Sequence, residues 1–180
     1  SVSALIDQAL LHLAPRLKRE ASQVRDDVLG YFRSRFVSIL QGRGIAGDVI
    51  EAVLRDFDEP VDTLMRAQAI MSVKAEPWFG SICAASKRVE NILKKAGETG
   101  EVKPELFAQD EEKALFARFK ETEAPFIAHA GRGEYPSALK LLAGLKEPVD
   151  SFFDKVLVMS EDEAVKANRI ALLKGLVGLF

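Results

Sequence analysis

Lys87, Arg88, Asn91, Lys94 and Lys95 recur at the three- and four-residue intervals that put side chains on one face of a helix, while Val89, Ile92 and Leu93 fall on the opposite face. Ammonium, guanidinium and amide groups at that spacing can hold the phosphates of a polynucleotide and reach its bases. The same pattern also describes a solvated helix whose basic last turn faces the negative end of its own dipole. Further along, Lys155, Lys166, Arg169 and Lys174 supply a second set of cations on the last two helical segments. Other chemistry is poorly provided for. Gly42-Arg43-Gly44-Ile45-Ala46-Gly47 spells G-x-G-x-x-G, but the residues before it have helical period and no second strand follows to carry a ribose-binding acid, so it reads as a glycine turn between helices. His12 and His129 are far apart, and neither has a carboxylate or thiol at ligand spacing, so no metal site is expected. Cys83 is the single cysteine, in an Ile-Cys-Ala-Ala context that reads as packing rather than as an activated nucleophile. Asp26-Asp27 and Glu161-Asp162-Glu163 sit where helices start, and capping accounts for them without catalysis. No catalytic constellation is expected.

The elements that must position these groups are helices. Val28, Phe32, Phe36, Ile39 and Leu40, and then Val49, Ile50, Val53, Leu54 and Phe57, repeat with helical period. Interruptions at residues 42–47, 60, 77, 97–104, 131–136 and 148 carry the glycines and prolines that end helices, and they divide the chain into about eight or nine. No stretch alternates with a period of two, so the fold class is all-α, a helical bundle. A long helix over residues 111–130 is expected to kink or break at Pro125, and the last helix to begin at Ser160 with Glu163 closing a capping box. No fixed repeat or low-complexity linker is present. The acidic stretch with Gly97 and Gly100 is the clearest internal boundary, joining two helical layers.

The 180 residues suffice for one ordinary domain, or a domain with a helical connector. The lone cysteine rules out an internal disulfide and fits a reducing, cytoplasmic setting. No signal peptide is expected at the start, and no apolar run approaches membrane-spanning length, so no membrane partner is expected. The missing initial Met and the ending Gly178-Leu179-Phe180 predict a piece of something larger. A net charge of -2 argues against indiscriminate coating of nucleic acid, but the charge is unevenly placed. Residues 14–43 balance to +4 and residues 81–95 to +3, against -4 over residues 98–123. That distribution predicts one basic face and another that repels polyanions.

Residues 26–36 (DDVLGYFRSRF), 44–54 (GIAGDVIEAVL), 87–93 (KRVENIL), 149–159 (VDSFFDKVLVM), 161–163 (EDE) and 168–174 (NRIALLK) occur in the order and with the spacing that resembles the C-terminal part of the beta subunit of bacterial glycyl-tRNA synthetase, over roughly residues 4–180. That resemblance implies a helical anticodon-binding domain, similar to the one in arginyl-tRNA synthetase, preceded by helices of the subunit body. It implies tRNA(Gly) and the alpha subunit as partners. Glycine and ATP, with magnesium, would react on the alpha subunit, leaving no cofactor and no catalysis to this stretch. Gly175 and Gly178 depart from the family, which commonly has longer side chains there, and they predict a weakened final helix.

On this reading residues 1–78 form a helical body or connector segment and residues 79–180 the anticodon-binding domain. An anticodon loop offers splayed bases and closely spaced phosphates. Arg88 and Asn91 are expected to read bases, and Lys87, Lys94, Lys95, Lys155, Lys166 and Lys174 to meet phosphates, with Arg169 in the same interface. Phe152 and Phe153 read as core more readily than as stacking platforms. Two other readings remain: a helical scaffold for subunit assembly, and a nucleotide-dependent oxidoreductase built on residues 42–47, which would need strands.

Overall fold

The computed structural model describes residues 1–55, 57–94 and 100–179. Lys95 therefore lies outside the described residues. Nine α-helices are found among the described residues, and no strand. They are α1 (Val2–Leu13), α2 (Ala21–Gly42), α3 (Gly47–Val53), α4 (Pro60–Val73), α5 (Pro77–Leu93), α6 (Asp110–Gly131), α7 (Tyr135–Leu142), α8 (Lys146–Lys155) and α9 (Glu163–Val177). Without strands, the dinucleotide reading of residues 42–47 has no sheet to stand on. The chain forms two compact units, Ser1–Ser72 and Val73–Phe180. The acidic stretch thus lies inside the second unit and is not a boundary between units.

The glycine motif terminates α2. Gly44 has φ of 77°, a left-handed conformation that costs a side-chain-bearing residue but not glycine. Around it the Ile45 amide donates to the Leu40 carbonyl (3.1 Å) and the Gly44 amide to that of Gln41 (2.9 Å). This is the Schellman arrangement, which satisfies carbonyls the helix leaves orphaned. Ile45 then packs with Leu40 in a core formed by Phe36, Val49, Ile50, Val53, Leu54 and Ala67. Not every apolar residue of α2 reaches that core: Phe32 and Ile39 are about half exposed. Elsewhere in this unit, Asp58 accepts hydrogen bonds from the Ser3 amide and hydroxyl, fixing the first turn of α1.

The second unit is built around Val89 of α5, Leu115 and Phe119 of α6, Leu142 of α7, Phe152 of α8 and Leu172, Leu173 and Leu176 of α9. Pro60 and Pro77 open α4 and α5, where a missing amide hydrogen costs nothing. Pro125 is different. Of the expected kink or break, the break is not found: α6 runs through Pro125, with Leu115 and Phe119 before it and Phe126 after it packed on the same core, which offsets the loss of one helical bond. A second Schellman turn closes α6, with Gly133 at φ of 73°, the Glu134 amide donating to His129 (2.9 Å) and the Gly133 amide to Ala130 (2.9 Å).

The start of α9 corrects the expectation at Ser160. The cap is Asp162, whose carboxylate accepts from the amides of Ala164 (2.8 Å) and Val165 (3.1 Å). A carboxylate both accepts these bonds and meets the positive end of the helix, so it outcompetes a hydroxyl two residues earlier. Ser160 only accepts weakly from the Asp162 amide (3.3 Å), and Glu163 pairs with Lys166 instead of reaching back. Helix α9 continues through Gly175. A side chain there would begin 3.1 Å from the Phe119 ring, so its absence lets α6 and α9 approach.

Candidate nucleic-acid interface

α5 divides its residues as its spacing requires. Ile82, Ala85 and Val89 are buried, and Ile92 and Leu93 pack partly against the same core. Lys87, Arg88, Asn91 and Lys94 are exposed. At 100° per residue these four fall within an arc of about 120°. Lys87, Asn91 and Lys94 make no hydrogen bond or ion pair among the described residues, so their polar groups are available to a ligand. Cys83, read as packing, instead lies on the exposed side.

Arg88 is held differently from the lysines. Its guanidinium carbon sits 4.2 Å from the centroid of the Phe153 ring on α8. Planar, weakly hydrated guanidinium stacks on an aromatic face as an ammonium does not. The consecutive aromatics of α8 thus separate: Phe152 is fully buried in the core, and Phe153 lies half-buried at its edge beneath Arg88. Their rings meet edge to face with centroids 5.6 Å apart. Sequence spacing could place the two phenylalanines on adjacent faces of α8, but nothing in it signalled that α5 would supply a cation to the outer ring.

The remaining candidates are not brought to this face. Lys155 follows Phe153 by two residues, about 200° around α8, and pairs with Glu111 at the start of α6 (2.8 Å). That contact holds the Glu111 carboxyl below the ordinary glutamate range and raises the Lys155 ammonium. Lys155 is nevertheless largely exposed, so a phosphate could compete for it. Lys166 is half-buried and paired with Glu163 (2.8 Å). Lys174 is exposed with no partner among the described residues.

Arg169 is a correction. It is buried at 6 % exposure, with Nε and Nη2 donating to the two carboxylate oxygens of Glu112 (2.9 and 3.1 Å) and Nη1 to the Leu157 carbonyl (2.9 Å). Glu112 has no exposed surface and also accepts from the Ala108 and Gln109 amides (3.0 and 2.8 Å). A guanidinium so enclosed cannot meet a polynucleotide; it ties α6 to α9. Asn168 beside it is equally structural, since its side chain accepts from the Lys103 amide (2.7 Å) and donates to the Lys103 carbonyl (2.9 Å).

Among the described residues no three His, Cys, Asp or Glu side chains converge in a way that could hold a metal ion. His129 meets Glu134, but Arg132 shares the same carboxylate, so the cluster is already neutralised internally. No helix among the described residues is long and apolar enough to cross a membrane. What remains is a core-packed helix presenting cationic and amide groups, with a guanidinium held over an aromatic ring beside them.

The model of the DALR anticodon binding domain matches residues 82–177, from the buried face of α5 to the last residue of α9. The chain belongs to the DALR anticodon binding domain family. The α5 face therefore lies within the DALR domain itself. Over its whole length the chain is 40 % identical to the glycine-tRNA ligase beta subunit of Syntrophotalea carbinolica and 41 % identical to that of Trichlorobacter lovleyi. It is 43 % identical over 89 % of its length to that of Geobacter sulfurreducens. The chain spans about a quarter of the length of these relatives: 26 % of the first two and 23 % of the third. All-α architecture and family membership agree with the helical anticodon-binding fold expected of the sequence.

Proposed function

We propose that this chain is the tRNA-binding, C-terminal part of a glycine-tRNA ligase beta subunit and that it holds the anticodon arm of tRNA(Gly) on the exposed face of α5. The observation that carries this reading is a set of unpartnered groups, Lys87, Asn91 and Lys94, on a fixed helix inside the segment matched by the anticodon-binding family. The lysines position the backbone, and the planar groups of Asn91 and Arg88 meet bases. Lys174 and, in exchange for Glu111, Lys155 are secondary phosphate contacts. Lys166 is a weaker one because Glu163 occupies it. Attachment of glycine with ATP and magnesium takes place on an alpha subunit, in the cytoplasm, and this stretch brings no cofactor of its own. Residues 79–180 act as the binding domain and residues 1–78 as body or connector, a division placed slightly beyond the point where the two compact units separate.

The test is binding of the chain to tRNA(Gly) and to the same tRNA with an altered anticodon, across a salt series. Preference for the cognate anticodon is expected, with Lys87→Ala/Lys94→Ala lowering the salt slope by roughly 0.7–0.9 per lost phosphate contact. Equal affinity for both tRNAs, with an unchanged slope in the double variant, refutes it. A second reading applies to the first unit. Leu5 and Leu11 of α1, with Tyr31, Phe32 and Ile39 of α2, are exposed, and apolar surface of that kind favours a packing role against further polypeptide.

A further inference from the structure

We infer that Arg88 acts as a stacking plate, not as a phosphate anchor or an edge reader, and that Phe153 is the positioning residue that holds its plane ready for an unpaired nucleobase. The inference rests on the tRNA-binding reading above and specifies how one residue of that face engages its ligand. Three observations converge on it. The guanidinium carbon lies over the Phe153 ring, 4.2 Å from its centroid, a separation at which a guanidinium parallel to the ring has one face covered, while Arg88 as a whole remains exposed. Phe153 is itself fixed, packed against the core of the second unit and edge to face with buried Phe152, so the plate has a rigid backing. No carboxylate among the described residues forms an ion pair with Arg88, so its orientation is set by the ring and not by a salt bridge. Lys87 and Lys94, on the same helix face, carry no such neighbour in stacking contact and remain the phosphate contacts.

The chemistry follows from what each surface offers. Unstacked RNA bases are captured on aromatic rings or on guanidinium planes, and the resulting stack is tolerant of base identity. A base laid on Arg88 completes a three-layer stack of base, guanidinium and phenyl ring. Asn91, one turn further along α5, is then placed to hydrogen-bond the edge of a base so held, dividing affinity and selectivity between neighbouring side chains.

The test uses the whole chain with tRNA(Gly) transcripts carrying the fluorescent base 2-aminopurine at one anticodon-loop position at a time. Binding is expected to quench the probe at one position by stacking. Arg88→Lys keeps the charge but removes the plane; it should abolish that quenching and weaken binding roughly tenfold or more, with the salt slope unchanged. Phe153→Leu should reduce the quenching in the same place although Arg88 is still present. If Arg88→Lys binds as tightly as the parent with the same quenching, the stack is wrong even though Lys87→Ala/Lys94→Ala still weakens binding and the broader reading stands. If the parent chain itself shows no tRNA binding, both fail together.

Discussion

Arg169 and Glu112 show how residue type and residue role come apart. Both are charged, and both are among the most enclosed side chains in the second unit. An ion pair of this kind gains little net stability over apolar packing, but breaking it leaves a bare buried charge. Arg169→Met is therefore expected to destabilise by about 3–5 kcal/mol in urea unfolding. Replacing Glu112 by Leu in the same chain should cost less than the sum of the two single changes, because the stranded carboxylate is gone. The recovery stays incomplete, since the Ala108 and Gln109 amides and the Leu157 carbonyl lose their partners as well. Unchanged stability in the single variant would show that the pair is not closed to water. Such a pairing was not legible in the sequence, where the two residues stand 57 positions apart and Arg169 reads as one more cation on a basic helix.

At the scale of the element, helix ends and close approaches decide the details. Asp162→Ala removes the acceptor of two amides and is expected to cost about 0.5–2 kcal/mol, while Ser160→Ala costs far less. Thermal unfolding of the two variants side by side distinguishes them, and equal losses would restore the cap to Ser160. Gly175→Leu should destabilise by about 1–3 kcal/mol by pushing a side chain into the Phe119 ring, even though leucine is much the better helix former. A stabilised variant would mean that α6 and α9 separate readily. The period of α5 was readable in advance because core-facing and solvent-facing residues alternate there with few exceptions. That of α2 was readable only as a helix, since the exposure of Phe32 and Ile39 depends on which neighbours cover them.

For the whole molecule, each compact unit contains a carboxylate that acid should find. Asp58, in the first, is held at about 2 by hydrogen bonds from the Ser3 hydroxyl and amide and from Ser1. Glu134, in the second, is held at about 2 by Arg132 and His129. Their usual values are 3.8 and 4.5, so the unfolded chain takes up protons first as the pH falls. The stabilisation from both groups is full above about pH 4.5 and is lost progressively as pH falls toward 2. Urea midpoints followed by circular dichroism between pH 6 and 2.5 should decline through that window, and Glu134→Gln should flatten the decline. A midpoint independent of pH would remove both contacts from the stability of the chain.

The all-α class, the turn at residues 42–47, the amphipathic α5 and the family resemblance follow from local pattern alone, because helical period and glycine conformational freedom are properties of neighbouring residues. Which cations remain free was decided only by tertiary packing. Lys87 and Lys94 stay open because α5 turns Val89 to the core, Arg169 is consumed by Glu112 because α6 and α9 meet, and Arg88 acquires a stacking partner because α8 lies beside α5. Charge is written into each residue, but burial and partnership depend on distances between helices far apart along the chain.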